Sequence, residues 1–132
     1  MPKVFTSEKQ KIGETGENIA VKFLMKHGFF VLDRNYTKKW GEIDIVAKKD
    51  NKIYFIEVKS VSCETLGQYV MDQHTPEDNM HPWKLKRLSR TIQTYLLSKK
   101  IEDVEWQVDL LVVFLDMKNK KAKVKVVKDI IL

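Results

Sequence analysis

The stretch Trp40–Ser60, WGEIDIVAKKDNKIYFIEVKS, decides the fold. Two runs rich in β-branched and aromatic residues, Glu42–Val46 and Ile53–Lys59, flank a polar segment centred on Asp50-Asn51. That pattern is a β-hairpin signal. Counting outward from an Asp50-Asn51 loop, Asp44 falls directly opposite Glu57. Because side chains alternate across a strand, Lys59 shares the face of Glu57, while Ile43, Ile45, Ile56 and Val58 share the other.

A charged strand face is usually a solvated one. Here the pairing argues otherwise, because like charges opposed across an antiparallel pair are destabilising. Two carboxylates aimed at one spot, beside Val46 and Phe55, make sense around a divalent cation. Mg²⁺ takes oxygen from one or two carboxylates and completes its shell with water and substrate phosphate. Asp44 and Glu57 are therefore the candidate metal ligands.

The 132 residues suffice for one domain with a real core, spanning 1–132. A hydrophobic share of 43% and a charged share of 32% are those of a globular protein. The longest apolar run, Leu110–Leu115, is a strand's length and far short of the roughly 20 residues of a membrane span. The N-terminus lacks an apolar signal region, and Cys63 is alone. A cytoplasmic protein without disulfides, away from membranes, is the expectation. Lys and Arg outnumber Asp and Glu by 24 to 18, a formal +6 that favours polyanionic partners, nucleic acid foremost.

Residues 1–12 read as a loose lead-in. A helix is expected from Gly13–Gly16 to Lys26 or His27, stopped by Gly28 in a left-handed cap. Glu17 falls on the apolar stripe of Ala20, Val21 and Leu24, so it points toward the sheet. Phe29–Leu32 reads as a short strand and Asp33–Tyr36 as a turn into the hairpin. From 61 to 81 periodicity dissolves into a long loop carrying His74 and His81, the kind that is functional or mobile. Pro82 opens a second helix to about Ser98, with Lys84, Lys86, Arg87 and Arg90 crowding its first turns. Cations are unfavourable there, which points to phosphate contact or pairing with acids. Val104–Leu115 is a strand covered on both faces, and the last segment, Lys121–Leu132, alternates over its first six residues and reads as an edge strand with lysines toward water. Trp40, Trp83 and Trp106 are read as core ahead of stacking platforms.

This order of elements resembles the PD-(D/E)XK, restriction-endonuclease-like superfamily. It is an α/β core with a central mixed sheet flanked by helices in αβββαβ order. The closer likeness is to the YraN-like family of bacterial proteins, similar in turn to archaeal Holliday junction resolvases. The motifs are Gly13-x-x-Gly16-Glu17-x-x-Ala20, Gly41-Glu42-Ile43-Asp44-Ile45-Val46-Ala47, Phe55-Ile56-Glu57-Val58-Lys59, Lys84-x-x-Arg87-Leu88 and Val108-Asp109. Ile43 stands where the superfamily has proline, and Val61 where the family commonly has arginine. The resemblance implies Asp44, Glu57 and the Val58 carbonyl as metal ligands, with Lys59 as the catalytic lysine. It implies Glu17 as an accessory acid and Lys84 and Arg87 as substrate-facing cations. The expected activity is a Mg²⁺- or Mn²⁺-dependent endonuclease on DNA, including branched DNA, with homodimerisation following the likeness to resolvases. Two other readings stand beside it: a nucleic-acid-binding module on a nuclease fold, and an interaction protein in which Lys59 neutralises the acids.

Overall fold

The structure is a computed structural model that describes residues 7–63 and 81–132. Helix α1 spans Glu8–Lys26, so residues 8–12 are helical rather than a loose lead-in. The cause is a reciprocal cap. The Gln10 amide donates to Ser7 Oγ at 3.1 Å, and the Ser7 amide donates to Gln10 Oε1 at 3.4 Å. This Ser-x-x-Gln box satisfies two of the orphan donors at a helix start. At the other end Gly28 adopts φ 85°, as expected. The Gly28 amide donates to the Met25 carbonyl at 3.2 Å and the Phe29 amide to that of Leu24 at 3.0 Å, a Schellman closure.

Strand β1 runs Phe30–Lys38, which corrects the short strand and the turn expected over Asp33–Tyr36. Its polar residues fit because β1 is an edge strand, pairing only with β2, Gly41–Lys49. Two irregularities mark it: a register shift between Val31 and Asp33, and Asn35 at φ 53°. β2 turns into β3, Lys52–Cys63, through Asp50 and Asn51 at φ 50° and 63°. Positive φ at both loop residues is the turn that matches strand twist. The register runs from Lys49↔Lys52 to Ile45↔Ile56, as counted from the sequence, and stops one pair short of the expected Asp44–Glu57 opposition. Residues 61–63 extend β3 instead of opening the loop. The remainder of that expected loop, with His74, lies outside the described residues.

Helix α2, Pro82–Ser98, carries the chain over to β4, Glu105–Asp116, which runs parallel to β3. β5, Lys121–Val127, closes the far edge antiparallel to β4, with Lys121 and Lys123 exposed. The strand order β1-β2-β3-β4-β5 gives the mixed sheet expected for the α/β class, compatible with a restriction-endonuclease-like core.

Each helix covers one face. Ala20 and Leu24 of α1 pack on Ile45, Ala47, Ile56, Leu111 and Val113. Leu88, Ile92 and Tyr95 of α2 pack on Val46, Phe55 and Val108. Covering both faces explains the near-continuous apolarity of β4; each large side chain removed from water contributes roughly 1.5–3 kcal/mol. Ile43 departs from the expected alternation, since it joins the α2 side with Val46 and Phe55 rather than the side of Ile45. Its neighbourhood is where regular pleating stops: the β2–β3 ladder ends at Ile45 and left-handed Asn35 lies alongside in β1. Asp109, 6% exposed, is structural. It accepts from the Asp129 amide at 3.0 Å and from Gln107 Nε2 at 2.7 Å, fixing the C-terminal residues to β4.

Candidate metal centre and nucleic-acid groove

The site lies where β2 and β3 part. Gly41 starts β2 hard against α2: a Cβ there would sit 3.1 Å from the Arg87 carbonyl oxygen and 2.5 Å from Thr91 Oγ1. With the strand start held to α2, the ladder to β3 is not continued past Ile45↔Ile56. Asp44 fills the break with its side chain, its Oδ2 accepting from the Val58 amide at 2.8 Å. The N–H and C=O of one strand residue project to the same edge, so the Val58 carbonyl faces the same break.

The break opens into a groove of about 490 Å³ lined by Asp44, Glu57, Val58, Lys84 and Arg87, with Glu42 and Lys38 at its rim. Glu57 is only 8% exposed. Burial, reinforced by the Asp44 charge, pushes its carboxyl up to about 8. Burial also raises Asp44, to about 6, against the lowering effect of the Val58 amide. Lys84 Nζ stands 3.8 Å from Glu57 Oε2 and partly offsets the acid charge. Taking a carboxylate from water is costly unless it is paired, and one half-exposed ammonium at this distance does not balance two acids.

Asp44, Glu57, Val58, Lys84 and Arg87 therefore meet in one groove. The other two predicted residues stand outside it. Glu17 is paired with Arg34 at 3.3 Å, and Arg34 also donates to Asn18 at 2.9 Å. The Glu17 charge still raises both groove carboxyls. Lys59 lines no part of the groove and makes no ion pair among the described residues. Partial burial, then the nearby Lys84 charge, holds its ammonium below the ordinary lysine value.

Glu42 is a groove residue that sequence reading missed, and its charge acts on both acids. The available signal was its position two residues before Asp44 on one strand. Among the described residues no three His, Cys, Asp or Glu side chains gather into a metal cage. The oxygen donors present, two carboxylates and a carbonyl, suit a hard cation that keeps several positions for water or phosphate. Their raised proton affinities, due chiefly to burial, fit that role as well, since a cation there offsets the buried negative charge that a proton otherwise removes.

Fold and groove together define the class: an α/β protein with a five-stranded mixed sheet, compatible with a restriction-endonuclease-like core, bearing an acid pair under a cationic helix end. The chain belongs to the uncharacterised protein family UPF0102, whose profile matches residues 16–122. It is 40% identical to a UPF0102 protein of Sulfurovum sp. (strain NBC37-1), over 86% of either chain. It is 38% identical to one of Campylobacter hominis over 79% of this chain and 84% of that relative. A Moorella thermoacetica relative is 35% identical over 93% of this chain and 97% of its own length. No helix among the described residues is long and apolar enough to cross a membrane.

Proposed function

We propose that this protein is a divalent-metal-dependent endonuclease that hydrolyses phosphodiesters in DNA, branched DNA included. The observation that carries the reading is the buried acid pair Asp44 and Glu57, insufficiently balanced, in a groove that also holds Lys84 and Arg87. Asp44, Glu57 and the Val58 carbonyl would hold Mg²⁺ or Mn²⁺. Bound there, the ion supplies Lewis-acid polarisation of the phosphate and a more acidic water. Lys84 and Arg87 seat the phosphates flanking the scissile bond, the guanidinium by its fork and the ammonium as a point charge. The Val58 amide fixes one oxygen of the Asp44 carboxylate, and its second oxygen would be the one to meet the ion. Lys59, with its lowered proton affinity, orients the attacking water or offsets charge on the phosphate once substrate has entered. Glu17 acts as an accessory acid after exchanging its Arg34 partner. A junction offers two strands to cut, so this reading goes with a homodimer, measurable by light scattering.

The test is cleavage of linear, flap and four-way DNA with Mg²⁺ or Mn²⁺, using Asp44→Ala as control. Cutting that disappears in the variant supports the reading; no cutting of any substrate by the wild type defeats it. A second reading, a nucleic-acid-binding module without catalysis, is favoured by one observation: Lys59 lies outside the groove. It expects salt-sensitive binding that Asp44→Ala leaves intact, with no cleavage.

A further inference from the structure

Trp83 is out of place for a core residue. It opens α2 and is 58% exposed, while Trp106 packs against the core beneath that helix. Its indole is nonetheless held in position. The Arg87 guanidinium lies over the ring, 4.3 Å from the centroid, and the His81 imidazole lies parallel to it within 4°, centroids 6.2 Å apart. The next residue, Lys84, reaches the acid pair, and Arg87 lines the same groove. A turn further along α2 a second pair repeats the arrangement, with Arg90 4.2 Å from the Trp40 ring centroid.

From this placement we infer that Trp83, with His81 and Arg87, is a stacking platform for an unpaired nucleobase beside the groove. The inference rests on the nuclease reading for the strand that brings the base there, and it names the substrate class: nucleic acid with an unpaired nucleotide next to the cut. An intact duplex keeps its base faces stacked and cannot offer one to an indole, whereas a flap, a gap or a junction arm can. Cations around the ring suit a chain whose phosphates alternate with its bases, and do not suit an apolar peptide. Stacking is indifferent to base identity, so the platform selects structure and not sequence.

The experiment uses the full chain carrying Asp44→Ala, to prevent cleavage, with and without Trp83→Ala. Anisotropy titrations compare oligothymidylate, oligouridylate and a blunt hairpin duplex. The platform predicts about tenfold weaker single-strand binding after Trp83→Ala, the order of one lost stacked base. It also predicts a far smaller loss on the duplex, and recovery of most of the difference by Trp83→Phe. Quenching of tryptophan emission by the single strands should fall in the same variant. The two oligonucleotides distinguish DNA from RNA. Equal losses on single strand and duplex, or no loss on either, overturn the inference, as does absence of quenching. Cleavage by the chain with Asp44 intact is scored apart: no cutting with the single-strand preference retained defeats only the nuclease reading, and cutting without that preference defeats only the platform.

Discussion

Glu57→Gln should stabilise the metal-free protein at alkaline pH while removing its response to Mg²⁺. The folded carboxyl is raised from 4.5 to about 8, chiefly by burial and then by Asp44. Between those limits the folded state keeps a proton that the unfolded chain has lost, so stability falls as pH rises through the window. At about 1.4 kcal/mol for each pH unit, the ceiling on the loss is roughly 4–5 kcal/mol. Glutamine is never ionised, but it gives up the 3.8 Å contact of a half-exposed Lys84, which contributes under about 1 kcal/mol. A net gain of roughly 2–3 kcal/mol at pH 8.5 is expected once water entering the open groove has reduced the ceiling. Near pH 4.5 the variant and wild type should be equally stable. Urea denaturation with EDTA across pH 4.5–9 measures the difference. Adding Mg²⁺ at ten times its dissociation constant should return about 1.4 kcal/mol to the wild type and little to the variant. Calorimetry in buffers of different ionisation enthalpy should detect protons released as the ion binds. Parallel stability curves across the window, or a variant less stable at pH 8.5, would refute the reasoning. The acid pair would then be satisfied by the protein itself and would have no need of a cation.

Three further outcomes follow from the same geometry. Gly16→Ala would drive a methyl into Ser60 Oγ, whose Cβ already lies 2.8 Å from that position, and should cost about 1–3 kcal/mol of unfolding free energy by urea denaturation because α1 must shift off β3. Lys84→Ala removes a cation from the groove; the slope of log affinity against log salt for DNA should shrink by about one phosphate contact, and the Glu57 carboxyl should rise further. Ser7→Ala opens the reciprocal cap of α1 and should cost about 1 kcal/mol, read by urea denaturation, without altering metal affinity.

The hairpin was legible because its information is local. Alternation, the Asp50-Asn51 turn and the outward count placed Ile45 opposite Ile56, and the structure keeps that register. Gly28 and Pro82 marked helix limits for equally local reasons of backbone conformation. The start of α1 was also written locally, in Ser7 and Gln10, but its signal was two polar residues that a search for apolar periodicity passes over. β1 was harder. Asp33, Arg34 and Asn35 resemble a turn in isolation and become strand only because β2 supplies their partners.

Sequence alone determined the α/β class, the order of the elements and the identity of the two acids, Asp44 and Glu57, that come to the groove, since each follows from spacing along the chain. Only tertiary structure decided how those acids are used. The hold of α2 on Gly41 accompanies the early end of the β2–β3 ladder, Asp44 turns to the Val58 amide, and Lys84, more than twenty residues downstream of Glu57, becomes its neighbour. Glu17, on α1, and Lys59 fall outside the residues that line the groove. The physical reason is that a strand's alternation assigns a residue to a face, whereas burial, field and access at that face are set by whichever distant element comes to cover it.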